Sequence, residues 1–268
     1  MMKIGISTGC LYPMLTEDSL AALTGLGFDT FEIFFNSFSE LENDYLDRLH
    51  HFLTKHHLRI ASVHPFTSSF ESFLLFSNYE RRFLDGVAFY ERYFRTAQKL
   101  GAGKVILHGL DTRFRSTISD EEYCRRFAVL QEQARRYGTT LLQENVNRFR
   151  SSSNDFLAFM RERIPGSAAF VCDTKQCWRS GTTPLDTLRA MGDHLRHIHI
   201  SGWTKDGQCA LPGLGDDDLV PLFDYLHQIR YDGDMILEVY RFSFDTLPQL
   251  REAKQYLERL AKQYQLLP

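Results

Sequence analysis

Short apolar runs alternate with longer amphipathic stretches along the whole chain. Residues 3–10 (KIGISTGC), 28–35 (FDTFEIFF), 59–65 (RIASVHP) and 104–109 (KVILHG) are compact and apolar, which predicts buried strands. Residues 16–25, 41–57, 81–100 and 120–137 predict helices between and after them, with Leu46, Leu49 and Leu53 at helical spacing in the second. Thr16 serves as a cap with Glu17 and Asp18 in the first turn, and Gly101 and Gly138 mark helix ends. The second half repeats the alternation. Strands are expected at 139–146, 168–173, 195–201 and 234–239. Helices are expected at 154–164, from Thr183-Pro184 onward, at 219–229 and at 247–264. Residues 202–218, rich in Gly and Asp, read as a loop.

Eight strands alternating with eight helices predict an α/β fold, a parallel (β/α)8 TIM barrel forming one domain over residues 1–268. The competing open, doubly wound sheet usually carries a glycine-rich turn after its first strand, and STGCLYP is not GxGxxG. No Ser/Pro linker or low-complexity tract marks a second domain.

Composition narrows the function classes. The formal charge of −3 gives no general attraction to nucleic acid or to an anionic membrane surface. No apolar stretch approaches the roughly 18 residues of a membrane span. The start, MMKIGISTGC, is strand-like and lacks the layout of a signal peptide. Five cysteines without a CxxC pair favour reduced thiols and a cytoplasmic setting.

The chemistry stands at strand ends. The fifth strand finishes in Gln143, Glu144 and Asn145, the sixth at Asp173, the seventh at His199 and the eighth at Glu238. A carboxylate at the end of a buried strand is costly unless it binds a metal, meets a cation or does chemistry. Taken singly, such a Glu reads as a salt-bridged surface group and such a His as a packed core residue. Four metal-capable residues at equivalent ends of successive strands point instead to one divalent ion (Mn²⁺, Co²⁺, Mg²⁺, Fe²⁺ or Zn²⁺) in a mixed O/N set, without the thiolates of a closed structural zinc site.

QEN at Glu144, CDTKQ at Asp173, HIHISG at His199 and ILEVY at Glu238 resemble the xylose isomerase-like superfamily of sugar isomerases and epimerases. That resemblance implies a single metal held by Glu144, Asp173, His199 and Glu238. It also implies proton exchange by Glu144 and Glu238 on opposite faces of a ketose, through an enediolate. It extends to His64 and His108, at the ends of strands three and four, as groups that touch substrate hydroxyls or line the pocket, with packed core histidines as the other reading. Gln176 stands where related branches carry a histidine, so the three-metal site of the apurinic-site endonuclease branch looks incomplete, and the ketose 3-epimerases' substrate contacts cannot be carried over wholesale.

Basic residues gather in the loops after strands four to eight: Arg113, Arg115, Arg148, Arg150, Lys175, Arg179, Lys205 and Arg241. Guanidinium and ammonium groups around one mouth suit an anionic group on a carbohydrate substrate, although Asp111, Asp206 and Asp216 to Asp218 offset much of the charge. Gln176, Arg148 and Lys205 join His64 and His108 as candidate substrate contacts. The aromatic stretch 66–79 reads as a lid, a subunit contact in a homo-oligomer, or ordinary packing. The leading expectation is a metal-dependent sugar isomerase or epimerase. A metal-dependent hydrolase or lyase, including an endonuclease-like enzyme or a ketone dehydratase, and a non-catalytic barrel are the alternatives.

Overall fold

The computed structural model describes residues 2–267. Eight parallel strands close into a barrel: β1 (Lys3–Ser7), β2 (Thr30–Phe34), β3 (Arg59–His64), β4 (Lys104–Leu107), β5 (Thr140–Glu144), β6 (Phe170–Asp173), β7 (Leu195–Ile200) and β8 (Asp234–Leu237). Their order around the ring follows the chain, and β1 pairs with both β2 and β8. The (β/α)8 architecture is therefore the one the alternation predicts. Most strands are shorter than their apolar runs because the chain leaves the ladder to build loops at the carboxyl ends, whereas β6 only starts later, at Phe170. After Ser7, for instance, the backbone tightens into a 3-10 turn, Thr8–Leu11.

Helices α1 (Thr16–Gly25), α2 (Asn43–Lys55), α4 (Glu80–Leu100), α5 (Asp120–Arg136), α6 (Asn154–Arg163), α8 (Pro184–Met191), α9 (Val220–Gln228) and α10 (Pro248–Gln263) correspond to the eight expected. Gly101 and Gly138 both end their helices at a φ of 69°, a left-handed conformation that glycine adopts without a Cβ penalty. Two helices go beyond the expectation: α3 (Ser68–Leu74) and α7 (Thr174–Arg179). The loop after β7 also holds a small antiparallel pair, Gly202–Trp203 with Cys209–Ala210.

Helix α3 settles the aromatic stretch in part. Phe76 is buried and stacks on Tyr123 at 4.1 Å, while Phe70, Phe73 and Tyr79 are exposed. All five cysteines are buried and free. At the amino-terminal end of the barrel Asp234 takes two bonds from Arg59, at 2.8 and 2.9 Å, and one from Lys104 at 2.5 Å. This cluster ties the starts of β3, β4 and β8 together. Inside the barrel, Ile106, Leu142, Ala169 and Val171 form a small apolar cluster of their own. Alternation puts Glu144 on the face of Leu142 and Asp173 on the face of Val171, so the apolar cluster is the floor under the charged strand ends.

Candidate functional site

The QEN sequence shows how local chemistry aims Glu144. Gln143 and Asn145 point away from the face of Glu144 and clamp the neighbouring strands. Gln143 Nε2 donates to the carbonyls of Leu107 and His108, at 3.2 and 2.9 Å, and its Oε1 accepts from Tyr123 at 2.6 Å. Asn145 exchanges two bonds with the backbone of Asp173, at 2.7 and 3.1 Å. Glu144 is thus fixed between β4 and β6 and buried at the axis.

Asp173 has two tasks. As the N-cap of α7 its Oδ1 accepts from Gln176 N at 3.0 Å, and its Oδ2 is gripped by Lys175 Nζ. Asp173 lies in register with His199, and His199 with Ile236 on the next strand, two residues before Glu238. The four residues read from the strand ends therefore converge: each offers a ligand atom, and these atoms lie within 4.8 Å of one another.

Sequence reasoning missed Glu32. It is fully buried on β2 and accepts from His199 Nε2 at 2.9 Å and from Ser62 Oγ at 2.7 Å. Ser62 in turn accepts from His197 Nε2 at 3.1 Å. Because Nε2 of His199 donates to Glu32, Nδ1 faces the carboxylates: 3.1 Å from Glu238 Oε2, 3.5 Å from Glu144 Oε1 and 4.0 Å from Asp173 Oδ2. That nitrogen is buried and has no hydrogen-bond partner. A lone pair aimed at carboxylate oxygens is repulsive unless a cation or proton lies between them. The signal for Glu32 was present in TFEIF, a single charge at the centre of an aromatic strand.

The electrostatics say the same. Burial pushes Glu144 up, but the imidazoles of His108, His199 and His64 overcome it and hold the carboxyl well below its usual range. Burial opposes charge on His199, and Glu32, Glu238 and Glu144 raise its pKa well above the ordinary value regardless. Burial lifts Asp173 against the pull of Lys175, and the crowding of Glu238 and Glu144 adds to the rise. The donor set, its spacing and the unpartnered Nδ1 all fit a divalent cation.

His64 and His108 also reach this centre. His108 Nε2 is 2.9 Å from Glu144 Oε2 and 3.2 Å from His64 Nε2, while His64 Nδ1 donates to the Pro65 carbonyl at 3.0 Å. Gln176 is half-buried, and its Oε1 accepts from Asn147 N at 3.1 Å, so that end of the amide ties α7 to the loop after β5. Arg148 and Lys205 are exposed. Arg113 is paired with Asp111 and Arg150 with Asp120. Lys175, expected at the mouth, is instead buried between Asp173 and Glu238, with Nζ 2.6 Å from Glu238 Oε2. Burial disfavours its charge, and Asp173, Glu238 and Glu144 outweigh that and keep it an ammonium.

A cavity of about 280 Å³ opens onto the site. Gly9, Tyr12, Phe34, Asn36, Lys175 and Tyr240 are among its walls, and Glu238 stands in both cavity and cluster. Phe34 stacks on His64 at 4.4 Å, and Tyr240 on Phe242 at 5.1 Å.

Comparison with known proteins bears on the fold and the family. An uncharacterised protein of Mycobacterium tuberculosis is 23% identical over 266 residues, covering 89% of both chains. Among solved structures, an L-ribulose 3-epimerase superimposes with a TM-score of 0.81 at 18% identity, covering 99% of this chain and 96% of the other. A 3-keto-D-glucoside 4-epimerase from E. coli gives 0.76 at 19% identity, covering 97% of this chain and 100% of the other. At such identities the structural likeness speaks for the fold alone. Residues 20–263 match the xylose isomerase-like TIM barrel family, and the chain belongs to that family.

Proposed function

We propose that this protein is a sugar epimerase or isomerase that moves a proton at a carbon next to a carbonyl. The reading rests on one observation. Two carboxylates, the buried Glu144 and the half-buried Glu238, come from strands separated by two others and converge on one imidazole nitrogen beside an aromatic-walled cavity. Glu144, Asp173, His199 and Glu238 would hold a divalent ion there. When bound, it would polarise an α-hydroxy carbonyl and ease loss of the neighbouring proton.

The chain's own residues supply the rest. One glutamate takes the proton from carbon while the other returns one to the opposite face, which inverts or relocates the centre. His64 and His108, held against Glu144, are placed to bond substrate hydroxyls. Tyr12, Phe34 and Tyr240 offer flat apolar surface to the C–H face of a sugar ring. Lys175 is the cation among the named cavity walls, and it is already paired. A neutral monosaccharide therefore fits this pocket better than a phosphorylated one. Names carried by structural neighbours, a ribulose 3-epimerase and a ketoglucoside 4-epimerase, are in keeping with the reading.

The test is incubation with a panel of ketoses and aldoses in D₂O with Mn²⁺, Co²⁺ or Mg²⁺, followed by NMR. Deuterium should enter a carbon adjacent to a carbonyl, together with an epimer or isomer. Absence of exchange with every sugar and metal would reject the proposal.

A further inference from the structure

Lys175 holds two of the carboxylates that a metal would need. Its side chain is about 5% exposed, and its ammonium touches Asp173 Oδ2 and stands 2.6 Å from Glu238 Oε2. Both oxygens belong to the donor set that gathers around His199. Helix α7 brings the lysine there: Asp173 caps the helix, and Lys175 follows two residues later and turns back over the cap. An ammonium offers three donors and no acceptor, so it satisfies the two carboxylates but cannot take up His199 Nδ1 as a metal would, and that nitrogen has no hydrogen-bond partner. A divalent ion would take the same oxygens and that nitrogen as well. The two cations cannot share a polygon whose corners lie within 4.8 Å of one another.

We propose that Lys175 is a resident competitor of the metal: the ammonium neutralises Asp173 and Glu238 in the metal-free barrel, and metal binding is an exchange that drives it out. This rests on the metal site of the proposed function. The cavity gives the displaced lysine somewhere to go. Lys175 already forms part of its wall, with Nζ 5.9 Å from the centre of the Tyr240 ring.

Calorimetric titration of EDTA-treated protein with Mn²⁺ tests the exchange without any substrate. Lys175→Met and Lys175→Gln should bind Mn²⁺ at least about tenfold more tightly than the unaltered chain, because a like charge beside the ion has gone. Lys175→Arg keeps the charge and should bind no more tightly than the unaltered chain. Mn²⁺ should also raise the Tm of the two neutral variants more than that of the parent. Equal or weaker binding in both neutral variants overturns the competition and leaves the metal site standing. Absence of binding in all four proteins overturns the competition and the metal site together. Failure of both neutral variants to fold even with Mn²⁺ present also overturns the exchange, since the ion should then replace the lysine.

Discussion

Glu32 decides which nitrogen of His199 faces the site. It accepts the Nε2 proton at 2.9 Å, so Nδ1 is the nitrogen turned toward Glu144, Asp173 and Glu238. Glu32→Gln can present an N–H in place of the acceptor and so favour the wrong tautomer. Partners of this kind behind a ligating histidine typically contribute 10- to 100-fold in metal affinity. We expect Glu32→Gln to weaken Mn²⁺ binding by about that factor while thermal stability in EDTA changes little; unchanged affinity would mean that Glu32 only packs. Glu144→Gln and Glu238→Gln act on the chemistry. Each keeps its size and one oxygen but loses the base, and each should lose on the order of 10²-fold or more in kcat. Metal content must be measured in the same samples, because loss of the ion would imitate loss of the base. Undiminished deuterium exchange in both variants at full occupancy would remove the two-carboxylate mechanism.

Helix α3 and the loop after β4 show the next scale up. Glu71 on α3 accepts from Gly109 N at 2.6 Å and from Tyr90 at 2.5 Å, and Ser72 receives Asp111 N at 2.8 Å. Together they hold the turn that carries His108. Gly109 has a φ of 96°, and a Cβ there would stand 2.0 Å from Tyr123 Oη. Gly109→Ala should therefore cost about 2 kcal/mol or more from backbone strain and overpacking, read by urea unfolding. Adding Tyr123→Phe should recover part of that loss, so that the double variant is less destabilised than the sum of the singles. Strict additivity would place the cost in the backbone alone. These tertiary ties explain what the sequence hid. The eight barrel strands were legible because burial on both faces makes each a short apolar run, and their helices because each buries one face, which forces a period of about 3.6. Helix α7, six residues long, and helix α3, seven, are too short to show a period, so the helical placement of Lys175 and Glu71 was not. The four strand-end residues were legible because isolated polar groups in apolar runs demand a reason. Arg148 and Lys205 were read from charge alone, and both are exposed loop residues. The five thiols, by contrast, follow from burial: Cys10 is pushed up to about 12 and Cys124 to about 11, chiefly by desolvation. A thiol reagent at pH 8 should label essentially none of the five in the folded protein and all of them in urea.

At the scale of the whole barrel, one end gathers the candidate site and the other an ion cluster, a division the architecture allows. Asp234 is the centre of the ion cluster. Its carboxylate joins Arg59 and Lys104, so it links strands three, four and eight where they begin. Burial works against its charge, but the two cations prevail and hold its pKa down at about 2, against an ordinary aspartate value of about 3.9. A carboxyl with a depressed folded pKa contributes stability that is fully present above the unfolded value. That contribution is lost as pH falls through the folded one. Asp234→Asn removes the charge at every pH. At pH 7 it should lower unfolding free energy by about 2 kcal/mol, less than for a fully buried pair because nearly half of the Arg59 side chain is exposed. As pH falls from about 4 toward 2, the parent protein loses the same contribution by protonation, and the gap between the two should close. Urea unfolding of both proteins at pH 7, 5, 4 and 3 reads the gap directly, and titrations common to both chains cancel in the difference. Deuterium exchange into substrate, measured on the folded variant at pH 7, should be unchanged, since Asp234 lies at the opposite end from Glu144 and Glu238. A gap that stays constant down to pH 3 or below would show that the loss came from packing and not from the ion cluster. A fall in exchange rate with full folding would show instead that strain at the base of the barrel reaches its mouth.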